Sequence, residues 1–228
     1  MDLSTLGIPG LKIERISGSE FARAPLHLPA WEGYLVKRWV NTRTITDGTV
    51  LVDFACNSRC TREDWEPKIA ADHDLIERQY EIRDAITAAV IADISNLIGY
   101  LDPTDPGVPP IAAASPPGSS SSENPKSQIP YPISTDLRPY IGPSSISILD
   151  YEKNGLPYVE WFLNCTWDDE HGLAAVTHQS RLIDLDRGET DIYKIFADNG
   201  TLEAELKLAE QLRNRPKPTP PKPWWKIW

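Results

Sequence analysis

Positions 168–171 read Asp-Asp-Glu-His, three acids and a histidine in a row, the densest group of titratable side chains in a chain of 228 residues. Asp168, Glu170 and His171 are the residue types of an acid, a base and an orienting partner, which is hydrolase chemistry. Neighbours on a tight turn point in divergent directions, so convergence on one substrate atom needs groups from elsewhere in the fold. No Gly-rich phosphate loop, nucleophile elbow or His-Glu-x-x-His pair accompanies them. A metal reading would join Cys165, His171 and His178, with Asp168 or Glu170. The types suit zinc, but the spacings match no compact ligand pair. Cys56-x-x-x-Cys60 has no second pair downstream. The pattern therefore assigns no catalytic residue, no metal and no cofactor. The plainer reading has Asp168 or Asp169 accepting turn N–H groups while His171 closes the turn against Trp167.

These residues need a hairpin to hold them. Leu156 to Trp167 and Leu173 to His178 are β-type runs flanking the polar segment. With Asp169-Glu170 at the tip, Cys165 pairs with Ala174. Trp161, Leu163, Cys165, Trp167, Ala174, Val176 and His178 then share the core face, a pairing that burial favours over a slip of one residue. Cys165 becomes a small core hydrophobe. Lys153-Asn154-Gly155 predicts a tight turn before this hairpin. Upstream, strands are expected at Leu11–Ile16, Tyr34–Val40 and Thr44–Ala55, with Asp47-Gly48 as a turn inside the last. Thr61-x-x-Asp64 resembles a capping box. After it, Ile69, Ile76, Tyr80, Ile86, Val90, Ile94, Leu97 and Leu101 recur at mostly helical spacing up to Asp102-Pro103. Thr201–Leu212 carries a second, shorter helical pattern.

The fold class that follows is α+β, with antiparallel β-sheet meanders and one long amphipathic helix packed across the sheet. Residues 1–101 hold the first strands and the long helix, and residues 102–130 form a Ser/Pro-rich linker or insertion. Residues 131–212 hold the hairpins with the charged tip, expected to join 1–101 in one composite domain. Residues 213–228 are a Pro/Lys/Trp tail.

Net charge is −10, and the tail carries five basic residues and no acid, so residues 1–212 hold 18 basic against 33 acidic side chains. An acidic body of this kind does not bind nucleic acid through its general field, whereas it steers towards a basic protein partner. The tail ends Trp224-Trp225-Lys226-Ile227-Trp228, where Trp224, Trp225 and Trp228 suit a weak membrane-interface contact, a docking groove on a partner, or folding back onto the chain. No apolar run is long enough to span a membrane, and the first residues lack the pattern of a secretory signal. With three sparse cysteines, free thiols in a reducing cytoplasm are expected.

The nine residues Cys165-Thr166-Trp167-Asp168-Asp169-Glu170-His171-Gly172-Leu173 resemble the signature of an uncharacterised bacterial domain family. In it a strand leads into Cys-x-Trp-Asp-x-Glu-His-Gly-Leu, and a short Gly- and Asp-containing segment follows, here Gly188-Glu189-Thr190-Asp191. Its members are similar to proteins of bacterial toxin–immunity clusters, in which small acidic proteins bind a toxin. The resemblance carries over no catalytic residue. It implies a non-enzymatic cytoplasmic binding protein with an acidic surface. Partner-binding candidates are Asp168, Asp169, Glu170 and His171 at the tip and the three tail tryptophans. A metal-dependent or acid/base hydrolase at the tip, and a peripheral membrane or scaffold-associated protein acting through the tail, are the alternatives.

Overall fold

The computed structural model describes residues 3–16, 19–38, 42–98, 136–168 and 170–213. The Ser/Pro-rich segment, Asp169 and the tail from residue 214, with its tryptophans, lie outside the described residues. The chain forms two compact units, Met1–Asp191 and Ile192–Trp228.

In the first unit, strands β1 (Lys12–Ile16), β2 (Ser19–His27), β5 (Thr49–Phe54), β6 (Ile141–Lys153), β7 (Leu156–Cys165), β8 (Leu173–His178) and β9 (Arg181–Arg187) form one seven-stranded sheet in the order β1-β2-β5-β6-β7-β8-β9. Strands β3 (Leu35–Arg38) and β4 (Thr42–Ile45) form a separate two-stranded ribbon. Among the described residues the architecture is α+β, with a mixed, mostly antiparallel sheet and three α-helices. The halves are not two separate meanders. β5 and β6 pair in parallel, Val52 beside Ile146 and Phe54 beside Ile148, which fuses them into one sheet. Parallel neighbours need a long crossover, and α1 (Arg62–Ile98) lies in that connection. Asp47-Gly48 is likewise not a hairpin turn. It is the point where the chain leaves the β3–β4 ribbon and enters β5, which pairs with β2 and β6.

Helix α1 begins as its capping residues dictate. Asp64 N–H donates to Thr61 Oγ1 at 3.3 Å, and Thr61 N–H donates back to Asp64 Oδ2 at 2.7 Å. That is a reciprocal box with Asp in the usual Glu place. The helix runs unbroken for 37 residues, through the Asp72-His73-Asp74 stretch, and touches β7, β9 and the 3-10 turn at Pro29–Trp31. Its buried stripe is Trp65, Lys68, Ala71, Asp72, Leu75, Gln79, Ile82, Ile86, Val90, Ile94 and Leu97. The C-terminal half matches the expected apolar periodicity, but Ile76 and Tyr80 are exposed. The buried stripe there includes polar residues, each handled differently. Gln79 Oε1 accepts the Ala30 N–H at 2.9 Å, and its Nε2 donates to Ile76 O at 2.8 Å. Lys68 sends its Nζ out to Asp150 at 2.8 Å. Asp72 stays under cover, and burial pushes its carboxyl up, with His73 opposing.

The Asn154-Gly155 turn joins β6 and β7 as expected, both residues having positive φ and Lys153 pairing with Leu156. The next hairpin differs from expectation. Leu163 pairs with Leu173 and Trp161 with Ala175, so the tip is a loop over residues 166–172 and not a two-residue turn. Trp161, Leu163 and Cys165 therefore share a face with Leu173, Ala175 and Thr177, not with Ala174, Val176 and His178. The physical reason is plain: all six residues of β8 are buried. Alternation cannot bias a register when both faces are covered. Thr177 also repays its place in the core, because the Trp161 indole N–H donates to its hydroxyl at 3.0 Å. The surrounding core contains Trp31, whose ring centroid lies 5.7 Å from that of Trp161, and the Phe54–Trp65 pair at 5.6 Å.

The second unit contributes α2 (Ile192–Asn199) and α3 (Leu202–Arg213). The Asn199-Gly200 turn divides them, and Thr201 N–H closes back onto Phe196 O at 2.9 Å.

Among the described residues no helix is long and apolar enough to cross a membrane.

Candidate functional site

The loop between β7 and β8 is built around one carboxylate. Asp168 stands just past the end of β7 with its side chain 7% exposed. Its Oδ1 accepts the backbone N–H of His171 at 3.0 Å and, less directly, that of Glu170 at 3.3 Å. His171 Nδ1 lies 3.2 Å from the same oxygen. A carboxylate only accepts, so Nδ1 carries the proton in this pair. The other oxygen, Oδ2, takes two bonds from the Arg187 guanidinium, from Nε at 3.2 Å and Nη2 at 2.7 Å. Burial pushes the Asp168 carboxyl up. Arg187 and the His171 N–H and ring outweigh that effect and hold it below the usual carboxylate range.

The backbone completes the loop. Thr166 N–H donates to Tyr140 O at 2.9 Å, and Gly172 N–H donates to Asp168 O at 3.2 Å. Gly172 has φ of +67°, and a Cβ there would lie 2.5 Å from Leu163 O, so only glycine fits. Gly188 comes so close that its Cβ would sit 3.0 Å from His171 Cβ. His171 thus packs against Gly188, while Trp167 is buried in the core. The segment after Gly188 is stitched down in turn: Thr190 Oγ1 donates to Glu160 at 2.5 Å, and Asp191 N–H donates to Asp184 Oδ2 at 2.8 Å. The β7–β8 loop and the Gly188 segment are therefore held together as one packed feature.

Beside the loop runs a groove of about 560 Å³ whose lining includes Arg23, Ser144, Asn164, Glu170 and His171. Arg23 is held by Asp53 through bonds of 2.5 and 2.9 Å and by Glu14 at 3.2 Å. Glu170 and His171 are exposed.

The expected site residues divide clearly. Asp168 and His171 are brought together, with Asp168 buried and His171 exposed. Glu170 is near them and points to solvent, whereas Asp169 and the three tail tryptophans lie outside the described residues. Cys165 is a buried cysteine outside the disulfide, its Sγ 3.6 Å from Asp168 O, as the hydrophobe reading requires. His178 belongs to another environment: its Nε2 is 2.9 Å from Lys153 O and its ring lies tilted against Tyr158, the centroids 5.0 Å apart. Cys165, His171 and His178 therefore do not converge on one point. Among the described residues no group of three His, Cys, Asp or Glu side chains is arranged to hold a metal ion. Cys56 and Cys60 are not free thiols but form a disulfide. Arg187 is the residue that sequence reasoning missed. Its one signal was position, immediately before the Gly188 segment.

A domain of unknown function, DUF6985, is found at residues 119–192, a span that contains the loop, Arg187 and Gly188. No curated protein and no solved structure matches the chain.

Proposed function

We propose that the chain is a non-enzymatic binding module that presents an acidic surface, with Glu170 and His171 at the tip of the β7–β8 loop, to a basic protein partner. The observation that carries this reading is the commitment of Asp168. Both its oxygens are occupied by Arg187 and by the loop's own N–H groups, and its carboxyl is held low, the opposite of what a general acid working near neutral pH requires. With Asp168 as a structural pin, the hydrolase reading loses its central group, and what remains exposed is a shaped, charged loop. The excess of acidic over basic residues supplies the long-range attraction. The immunity-like role and the cytoplasmic setting belong to the same proposal, the partner then being a basic toxin of the same cell. So does α1 as a single rigid backing for the sheet.

Affinity capture with the wild-type chain and with Glu170→Lys tests the reading. The expected result is a basic protein retained in stoichiometric amount by the wild type and weakened by the charge reversal, with retention falling steeply as salt is raised. Equal retention by both forms, or no stoichiometric partner in the source cell, would overturn it.

A further inference from the structure

The turn between β5 and α1 carries chemistry that the β7–β8 loop does not. Cys56 and Cys60 are bridged there, their Cα atoms 5.9 Å apart, an ordinary span for such a bond. The two cysteines differ in access. Cys56 is 5% exposed. Cys60 is only partly covered and lines an open groove of about 590 Å³. The groove walls bring charges of both signs with acids in excess: Arg59 and Lys68 against Glu63, Asp64, Asp150 and Glu152. Lys68 is paired with Asp150, while Arg59, Glu63 and Glu152 are exposed.

Two further features act on Cys60 alone. The Asn57 N–H donates to its Sγ at 3.2 Å. It also directly precedes Thr61, the capping residue of the 37-residue helix α1, whose N-terminal end is positive. Both favour negative charge on that sulfur, against the opposing carboxylates of Glu63 and Asp64 in the first turn of the helix.

The geometry points to Cys56–Cys60 as a thiol-exchangeable disulfide, attacked at Cys60 by a low-molecular-weight thiol of the glutathione class that enters the groove. Such thiols carry an ammonium group that suits the acidic walls and carboxylates that suit the exposed Arg59. The thiolate attacks Cys60 Sγ, a new S–S bond forms between them, and the Cys56–Cys60 bond breaks with its electron pair leaving on Cys56, which then takes a proton from water. A second thiolate attacks the thiol-derived sulfur of the mixed disulfide and expels Cys60 as thiolate, the leaving group favoured by Asn57 and the helix end. Two small thiols are oxidised to their disulfide, and the protein disulfide is reduced to a dithiol. This inference is independent of the proposed partner.

The test uses the full chain in a series of reduced-to-oxidised glutathione ratios, quenched by alkylation and mapped by peptide mass. The expected result is that Cys56 and Cys60 convert together from bridge to dithiol within that series, with the transient glutathione adduct on Cys60. A bridge that survives excess reduced glutathione until denaturant is added would overturn the proposal, as would an adduct on Cys56. In variants shown to be folded by circular dichroism, Cys56→Ser should take up glutathione from its disulfide about tenfold or more faster than Cys60→Ser, following access and thiolate character. Equal rates would also overturn it.

Discussion

Replacing Asp168 with Asn changes charge while leaving shape almost untouched, so it isolates what the carboxylate does. The Asn carbonyl can still accept the loop N–H groups, but its NH₂ then faces the Arg187 guanidinium, donor against donor. Both Arg187 bonds are lost. Hydrogen bonds to charged groups contribute about 1.5–3 kcal/mol each. Arg187, however, is 44% exposed, so solvent takes over part of that attraction, and the net loss comes to about 2 kcal/mol. For a chain of this size that lowers the melting temperature by about 4–8 °C. Urea unfolding at a series of pH values is the assay. The folded carboxyl titrates below its unfolded value, so its stabilisation is complete above that value and disappears as pH falls through the folded one. The Asp168→Asn deficit should therefore be constant from neutrality down to about pH 5 and shrink below about pH 4. Glu170→Gln, at an exposed neighbour, serves as control. A deficit under about 0.5 kcal/mol at pH 7, or one that persists undiminished in acid, would show that the Asp168 charge does not pin the loop.

Three other substitutions probe the scaffold. Thr177→Val leaves the Trp161 indole N–H buried without its acceptor and should cost about 1–3 kcal/mol in urea unfolding; a neutral result would contradict the observed register. Asp72→Asn should act in the opposite direction to Asp168→Asn. Burial raises the Asp72 carboxyl, so keeping it charged costs stability above its unfolded value, and the cost is relieved as pH falls. The variant should melt higher than wild type at pH 7 and lose that advantage in acid, as calorimetry would show. Gly172→Ala should destabilise by about 1–3 kcal/mol through its positive φ and the approach of Leu163 O; an unchanged midpoint would mean that the loop backbone is free to rearrange.

Local signals were the legible ones. Asn154-Gly155 and the Thr61–Asp64 box each act through residues a few positions apart, and both appear in the structure as their chemistry dictates. The burial of Cys165 was also readable, because the apolar alternation of β7 is strong. Features that depend on distant partners were not. The β5–β6 pairing joins segments separated by α1 and the Ser/Pro-rich stretch, and no local pattern announces it. The β7–β8 register escaped because β8 is buried on both faces, which removes the polar alternation that would fix it. On α1, Lys68, Asp72 and Gln79 occupy the buried stripe and disguise its phase, while Ile76 and Tyr80 imitate it from the exposed side. Arg187 looks like any surface arginine until folding sets it against Asp168. The candidate site was thus located by its composition, but its logic was hidden. Crowded acids beside a histidine resemble catalysis, and only the geometry reveals that the central acid is bound within the loop.

The most direct measurement is the titration of the Asp168 carboxyl by carbon-detected NMR. A midpoint below the usual 3.8 is expected of a carboxylate pinned by Arg187 and the loop N–H groups. A midpoint raised towards neutrality would contradict that pinning and restore Asp168 as an acid available for chemistry.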